Sequence, residues 1–281
     1  MPVKRWWRLL HKTASLSITD AKGGKVLVRC HAGCDQRDVI AALRLRGLWD
    51  TDGGLEGQPL RQDDRRCSAK SDPGDLKRTE AALAIWRASQ PADGTLVEAY
   101  LRSRGLKVLP PSAIRFHGGL KHHSGGVWPA MVALVTNGVD DMPLAIHRTF
   151  LARDGRGKAP VDTAKMMLGP CRGGVVRLEK PGEVLMVGEG IETCLAAMQA
   201  TGHAAWAALS TSGLRALDLP RDVRDVIVIA DGDDPGEAAA QDCGRRWKRE
   251  GRRVRIARPP QGMDFNDLLK AGAPSTAEVA R

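Results

Sequence analysis

The sequence has 281 residues, of which 42% are hydrophobic and 27% are charged, enough for two modest domains and a small appendage. Apolar runs in the second half, such as residues 226–230, are far too short to cross a bilayer, so no membrane partner or spanning segment is predicted. Residues 1–10 lack the long apolar core of a secretion signal. Six cysteines in a chain of this length do not indicate a disulfide framework, so we expect a protein of the reducing cytoplasm.

The net charge of +10 is unevenly distributed. Residues 1–50 carry 10 Lys and Arg against 4 Asp and Glu, and residues 76–180 carry 16 against 8. Residues 181–281 carry 13 against 15. The basic first two-thirds predicts a polyanionic partner, with a simple solubility bias as the alternative. An acidic module beside a basic one suits a metal site that works next to phosphates.

In chain order, residues 51–75 are rich in Gly, Asp and Arg without periodicity, and we interpret them as a linker. Residues 76–89 and 96–104 have apolar residues at helical spacing. Short apolar stretches separated by turn residues then predict strands at 131–135, 144–150 and 173–178. The predicted domains are therefore a small amino-terminal segment over 1–50, a basic α+β domain over 76–180 and a further domain over 181–281.

The last of these domains has the clearest pattern. Strands are predicted at 184–187, 203–208, 226–230 and 254–257, and helices at 193–201, 235–251 and 265–270. Because the strands are apolar on both faces and alternate with helices, we predict an α/β fold with a parallel sheet covered on both sides.

Carboxylates follow three of these strands. In such sheets, ligands bind beyond the carboxyl ends of the strands. The residues at these positions are Glu189, Asp231, Asp233 and Asp264. Crowded carboxylates repel each other unless cations lie between them, and hard oxygen ligands suit Mg²⁺ or Mn²⁺. The alternative is that Asp233 and Asp234 are only helix caps and Glu189 is an ordinary loop carboxylate.

The segments VLMVGEG and VIVIADGDDPG resemble the Toprim signature, in which one apolar strand ends in Glu-Gly and a later one ends in Asp-x-Asp. The resemblance implies catalytic and metal-binding roles for Glu189, Asp231 and Asp233. The segment GMDFNDLL resembles the acidic stretch that follows in primases, which implies that Asp264 is a further Mg²⁺ ligand. It departs from that pattern at Asn266, where a second Asp is common.

Two upstream segments extend the likeness. LAIHRTFL and KMMLGP are similar to the basic strands that precede Toprim in primase catalytic cores. The likeness implies that Arg148, Lys165 and Lys158 face template or nucleotide phosphates. The alternative is that they are solvated strand residues.

Near the amino terminus, residues 13–34 look like the second half of the zinc ribbon of plasmid and phage primases. Cys30 and Cys34 have ligand spacing, but the expected first pair, a Cys and a His just before Thr13, is absent. Because two ligands cannot close a tetrahedral site, we interpret the segment as a degenerate ribbon without stable zinc.

The combined resemblance is to the Toprim primase-like proteins of bacterial mobile elements. It implies RNA-primer synthesis from NTPs on single-stranded DNA, with a helicase on a separate chain as a candidate partner. A Toprim nuclease and a decayed protein that only binds DNA remain open alternatives. A topoisomerase is disfavoured because Tyr100, the only tyrosine, lies on a predicted helix without a supporting motif. No GxxxxGK[ST] loop is found, which disfavours an ATPase or helicase.

Overall fold

A computed structural model describes residues 5–7, 16–21, 25–30, 36, 39–40, 43, 73–232, 234–259, 265 and 278–280. The chain divides into two compact units, Met1–Ala69 and Lys70–Arg281. The predicted domains over 76–180 and 181–281 thus lie within one compact unit.

The first unit contains a three-stranded antiparallel sheet in the order β1-β2-β3. Its strands are β1 (Arg5–Trp7), β2 (Leu16–Ala21) and β3 (Lys25–Cys30). Val28 on β3 packs with Val39 and Leu43 in a small buried cluster. This is the segment predicted as a ribbon remnant. Cys30 ends β3, and Cys34 lies outside the described residues.

The second unit is built around one mixed sheet. Its elements are α1 (Pro73–Ala88), β4 (Gln90–Pro91), α2 (Leu96–Ser103), β5 (Ile114–Lys121), β6 (Val127–Asn137), β7 (Pro143–Phe150), β8 (Lys165–Leu168), β9 (Gly174–Arg177), β10 (Val184–Gly188), α3 (Ile191–Thr201), β11 (Ala204–Ala207), α4 (Thr211–Ala216), β12 (Asp225–Ile229), α5 (Asp234–Arg249), β13 (Arg253–Arg258) and β14 (Glu278–Ala280). The strand order is β14-β13-β12-β10-β11-β9-β6-β5-β4, and β7 pairs with both β6 and β8.

Helix α1 starts earlier than predicted. It begins at Pro73, so the last three residues assigned to the linker over 51–75 are helical. Proline is well suited to the first turn of a helix, where its missing N–H costs no hydrogen bond.

The carboxyl-terminal part of the sheet confirms the predicted α/β class. β10 pairs in parallel with both β11 and β12, and β12 pairs in parallel with β13. Successive residues of β10 face opposite cores. Met186 packs in the core that contains Ile191 and Leu195 of α3, whereas Leu185 packs in the core that contains Trp247 of α5. The parallel strands are therefore covered on both faces, which explains their continuous apolar sequences.

The amino-terminal part of the same sheet is antiparallel. Strands β5, β6, β7 and β8 pair successively, and β6 also pairs with β9 near Thr136. One face packs against α1 through Ala82, and the other packs against α2 through Tyr100 and Leu101. The α2 face belongs to the same core as α3, so the two predicted domains share buried side chains.

No helix among the described residues is long and apolar enough to cross a membrane.

Trp206 on β11 should be a major contributor to stability. Its side chain is fully buried, its Nε1 donates to the Glu179 carbonyl at 3.0 Å, and the Arg177 guanidinium lies 4.1 Å from its ring. We expect Trp206→Ala to lower the free energy of unfolding by about 3–5 kcal/mol because it leaves a large cavity. Met142, which is 60% exposed, provides the control: Met142→Ala should change this free energy by less than about 0.5 kcal/mol in the same urea titration. Similar losses in the two variants would contradict this account of the core.

Candidate metal and phosphate site

Glu189 and Asp231 lie at the same edge of the sheet. β10 and β12 are parallel neighbours in a register that pairs Val187 with Val228. Glu189 follows Val187 by two residues and Asp231 follows Val228 by three. Since neighbouring strands are about 4.8 Å apart, the two half-buried residues leave the sheet at the same edge, from adjacent strands.

The backbone around Glu189 is fixed by close packing and by a strained residue. A Cβ on Gly188 would lie 3.1 Å from the Cys194 sulfur and 3.2 Å from Ile229 Cβ, so a larger residue would disturb this contact. Leu209, just after β11, has φ +68° and donates its N–H to the Glu189 carbonyl at 2.9 Å. Such a conformation is costly for a leucine and persists only where the surroundings hold it. The backbone of Glu189 is therefore held by the close packing of Gly188 before it and by the hydrogen bond from Leu209.

The residues present fit a hard divalent cation in part. Glu189 and Asp231 supply two carboxylates at one edge, and Mg²⁺ commonly takes one or two protein carboxylates and completes its shell with water and phosphate. Asp233 and Asp264, the other two predicted ligands, lie outside the described residues. Among the residues that are described, no group of three or more Asp, Glu, His or Cys is arranged to hold a metal ion.

A second carboxylate, Glu192, is held in a buried polar network. Its side chain is 6% exposed and accepts hydrogen bonds from the Tyr100 hydroxyl at 2.7 Å and from Lys165 Nζ at 2.9 Å. Burial by itself raises the pKa of Glu192. The charge of Lys165 and the two hydrogen bonds outweigh this effect and lower the pKa to about 2. Glu192 therefore remains ionised at neutral pH.

Several other groups surround this network. Burial, followed by the charge of Lys165, lowers the pKa of buried His147 to about 4, so this imidazole is neutral at pH 7. The pKa of Lys158 is lowered by burial and then by Lys165, while Glu192 acts in the opposite direction. Lys165, a predicted phosphate ligand, thus binds Glu192 directly, and Lys158, the other one, is influenced by the charges of both.

Arg148 has a different position. It is the Cα partner of Met166, whereas Lys165 is the partner of Thr149, so Arg148 and Lys165 project from opposite faces of the sheet. Arg148 donates to the Met167 carbonyl at 3.2 Å, and its guanidinium lies 5.9 Å from the Phe150 ring. A shared phosphate ligand for these two cations is not supported by this geometry, and the nucleic-acid contact of Arg148 stays a prediction.

Sequence reasoning missed Glu192 and the partnership of Tyr100. Glu192 lies in the first turn of α3, three residues after Glu189, and nothing in the sequence alone indicated that it would be buried. Tyr100 lies 92 residues before Glu192 in the chain, and only the tertiary fold brings its hydroxyl to Glu192.

Two segments of the chain match known protein families. Residues 184–274 match the Toprim domain family. The chain carries a Toprim domain. The predicted resemblance is thereby confirmed for the segment that holds Glu189 and Asp231. Residues 76–178 match a domain of unknown function, DUF7146. No curated protein matches the sequence.

Among solved structures, the chain is similar to primases. One is the catalytic domain of a DnaG primase bound to single-stranded DNA, with 15% identity, a TM-score of 0.47 and coverage of 72% of this chain and 79% of that one. Another is the E. coli primase catalytic core, with 14% identity, a TM-score of 0.43 and coverage of 72% and 77%. A third, the Aquifex aeolicus primase with its zinc-binding and RNA polymerase domains, has 13% identity and a TM-score of 0.44, and covers 93% of this chain and 77% of that one.

The ionised state of Glu192 makes a pH-dependent contribution to stability. Its folded pKa of about 2 lies below the ordinary value of 4.5, so the contribution is complete above pH 4.5 and is lost as the pH falls toward 2. We expect the difference in free energy of unfolding between the wild type and Glu192→Gln to stay level from pH 6 to about pH 5 and to shrink from about pH 4.5 to pH 3. Urea titrations at several pH values measure this difference. A difference that stays constant over that range would show that Glu192 has an ordinary pKa.

Proposed function

We propose that this protein is a primase-type nucleotidyltransferase, which joins ribonucleoside triphosphates into short RNA on a single-stranded DNA template. The observation that supports the proposal is that two Toprim carboxylates, Glu189 and Asp231, follow neighbouring parallel strands, while Lys165 of the preceding basic segment binds Glu192 at the start of the next helix. A carboxylate edge together with lysine side chains from the preceding segment suits a reaction at phosphate groups.

In this proposal, Glu189 and Asp231 hold Mg²⁺ or Mn²⁺, with Asp233 and Asp264 as further ligands. A bound divalent ion supplies stabilisation of the charge that develops on the phosphate being transferred. Lys165, whose side chain is 37% exposed, binds a phosphate oxygen of the incoming nucleotide, and Lys158 adds positive charge beside it. Neutral His147 adds no charge to this group at pH 7.

The template binds through the basic surface of residues 76–180. These residues carry 16 Lys and Arg against 8 Asp and Glu, so attraction to the phosphate backbone is independent of base sequence. Arg148, on the other face of the sheet from Lys165, is a candidate for this backbone contact rather than for the nucleotide. A degenerate ribbon without stable zinc at Cys30 and Cys34, a helicase partner, a cytoplasmic location and an origin in mobile elements stay predictions.

Asp231→Ala tests the role of the carboxylates. We expect RNA synthesis on a single-stranded template with Mg²⁺ and NTPs to fall by at least about 100-fold, because one charge-stabilising group is lost, while template binding changes little. Asp225→Asn is the matched control, because Asp225 begins the same strand and pairs with Arg253 and Arg255 away from the site.

Other outcomes of this experiment identify the alternatives. Template cleavage in the absence of NTPs, abolished by Asp231→Ala, would establish a nuclease in place of a primase. Template binding by the wild type without synthesis or cleavage would indicate a protein that only binds DNA. Equal loss of synthesis and binding in Asp231→Ala would mean that Asp231 has a structural role.

Template affinity should depend steeply on salt. Each phosphate neutralised on a single strand contributes a slope of about −0.7 to the logarithm of the association constant against the logarithm of salt concentration. We expect a slope of about −3 or steeper between 50 and 300 mM NaCl in fluorescence anisotropy with a labelled oligonucleotide. A slope near zero would contradict binding through the basic surface.

A further inference from the structure

The network of Tyr100, Glu192 and Lys165 joins three elements that are distant in sequence. Tyr100 belongs to α2, Lys165 begins β8, and Glu192 lies in the first turn of α3. Tyr100 and Lys165 bind different oxygens of the same carboxylate, Oε1 and Oε2. Both carboxylate oxygens are therefore used to fix the positions of other groups.

Stability alone is a weak reason for this arrangement. The Tyr100 side chain is 1% exposed and that of Glu192 is 6% exposed. Removing charges from water is costly, and well-packed apolar residues are often as stabilising as a buried ion pair. A buried polar network can have a further role when it holds a functional side chain in the position that its function needs.

The group fixed here is the ammonium of Lys165. Its side chain is 37% exposed, so one side of the ammonium is bound to Glu192 while the rest is accessible. Glu192 follows Glu189 by three residues, which places Lys165 next to the start of the helix that follows the metal-binding edge. The charges of Lys165 and Arg104 lower the pKa of Lys158, whereas the charge of Glu192 raises it. Glu192 therefore offsets part of the repulsion that Lys158 experiences from these cations.

Tyr100 in turn fixes the carboxylate. Its hydroxyl is the donor to Oε1, and its ring packs in the core shared by α2 and α3. Burial, followed by the charge of Glu192, raises the pKa of Tyr100 far above its ordinary value, so the hydroxyl keeps its proton and donates at any working pH.

We propose that Glu192 is a positioning residue that, held by Tyr100, places the Lys165 ammonium for contact with the triphosphate of the incoming nucleotide. This inference rests on the proposed function, since it names how one phosphate contact of that reaction is oriented. Glu192 acts through Lys165 and does not itself touch the nucleotide.

The sign of the effect separates positioning from simple electrostatics. Glu192→Gln removes a negative charge next to a site for an anion, so the electrostatic field alone would strengthen triphosphate binding. Positioning predicts the opposite result, because Lys165 loses its fixed partner and its side chain becomes disordered among rotamers.

A double-mutant cycle on nucleotide binding tests this inference. The probe is N-methylanthraniloyl-ATP with Mg²⁺, and its dissociation constant is measured by fluorescence for the wild type, Glu192→Gln, Lys165→Met and the double variant. We expect each single substitution to weaken binding about tenfold, as for one charge-assisted hydrogen bond. The double variant should bind no more weakly than Lys165→Met, because Glu192 acts only through Lys165.

Two further variants complete the cycle. Tyr100→Phe keeps the buried ring and removes only the hydroxyl, so we expect about threefold weaker binding in the wild-type background and no effect in the Lys165→Met background. Asp242→Asn breaks an ion pair with Arg215, both partners being more than 40% exposed, and should leave nucleotide binding unchanged. Should Glu192→Gln fail to fold, the cycle of Tyr100→Phe with Lys165→Met measures the same coupling.

The outcomes distinguish the inference from the proposed function. Tighter binding by Glu192→Gln, or effects of Glu192→Gln and Lys165→Met that add in the double variant, would overturn the positioning role even if the wild type makes RNA. A coupled cycle in a protein that binds the triphosphate but makes no RNA would support the positioning role and overturn primer synthesis. No binding of the triphosphate by the wild type would overturn both. A purely structural role would lower the melting temperature of Glu192→Gln while its dissociation constant stayed that of the wild type.

Discussion

The candidate site depends on the parallel pairing of β10 with β12. Their register, which sets Val187 opposite Val228, is what brings two carboxylates from different parts of the chain to one edge. A shift of one residue would reverse the faces of Leu185, Met186 and their neighbours, which belong to two different cores. The packing of both faces therefore fixes the register, and the register fixes where Glu189 and Asp231 lie. The position of the site therefore depends on the packing of the two hydrophobic cores on either face of the sheet.

The same logic extends to the segment before the Toprim domain. One core includes Leu101 of α2, Met131 of β6 and Leu195 of α3, so the antiparallel and parallel parts of the sheet are held together by common buried contacts. That shared core allows Tyr100 and Lys165, both from the earlier segment, to reach Glu192 in the Toprim domain. The candidate metal edge and the cationic network consequently lie in the same compact unit, built on one sheet.

Sequence patterns were informative where burial was uniform. The apolar strands at 184–187 and 226–230, and the helices around them, agree closely with β10, β12, α3 and α5, because burial on both faces requires continuous apolar residues. Strand β5 was missed because Gly118 and Gly119 interrupt its apolar pattern at a bulge. Helix α4 was missed because its six residues include Gly213, which has low helical propensity. The sequence left open whether Arg148 and Lys165 face template or nucleotide phosphates, because a sequence segment does not show which face of a sheet each residue occupies in the final pairing.

The amino-acid sequence by itself determined the α/β class, the Toprim signature, the basic character of the earlier segment and the identity of Glu189 and Asp231 as candidate ligands. These properties are local, since they follow from residue type, periodicity and the position of a residue relative to one strand. Only the tertiary structure decided that Glu192 is buried, that Tyr100 is its hydrogen-bond donor and that Lys165 is its counter-ion. Those contacts join residues that are 27 and 92 positions apart in the chain. They depend on the tertiary packing, which brings α2, β8 and α3 together, and local sequence does not determine them.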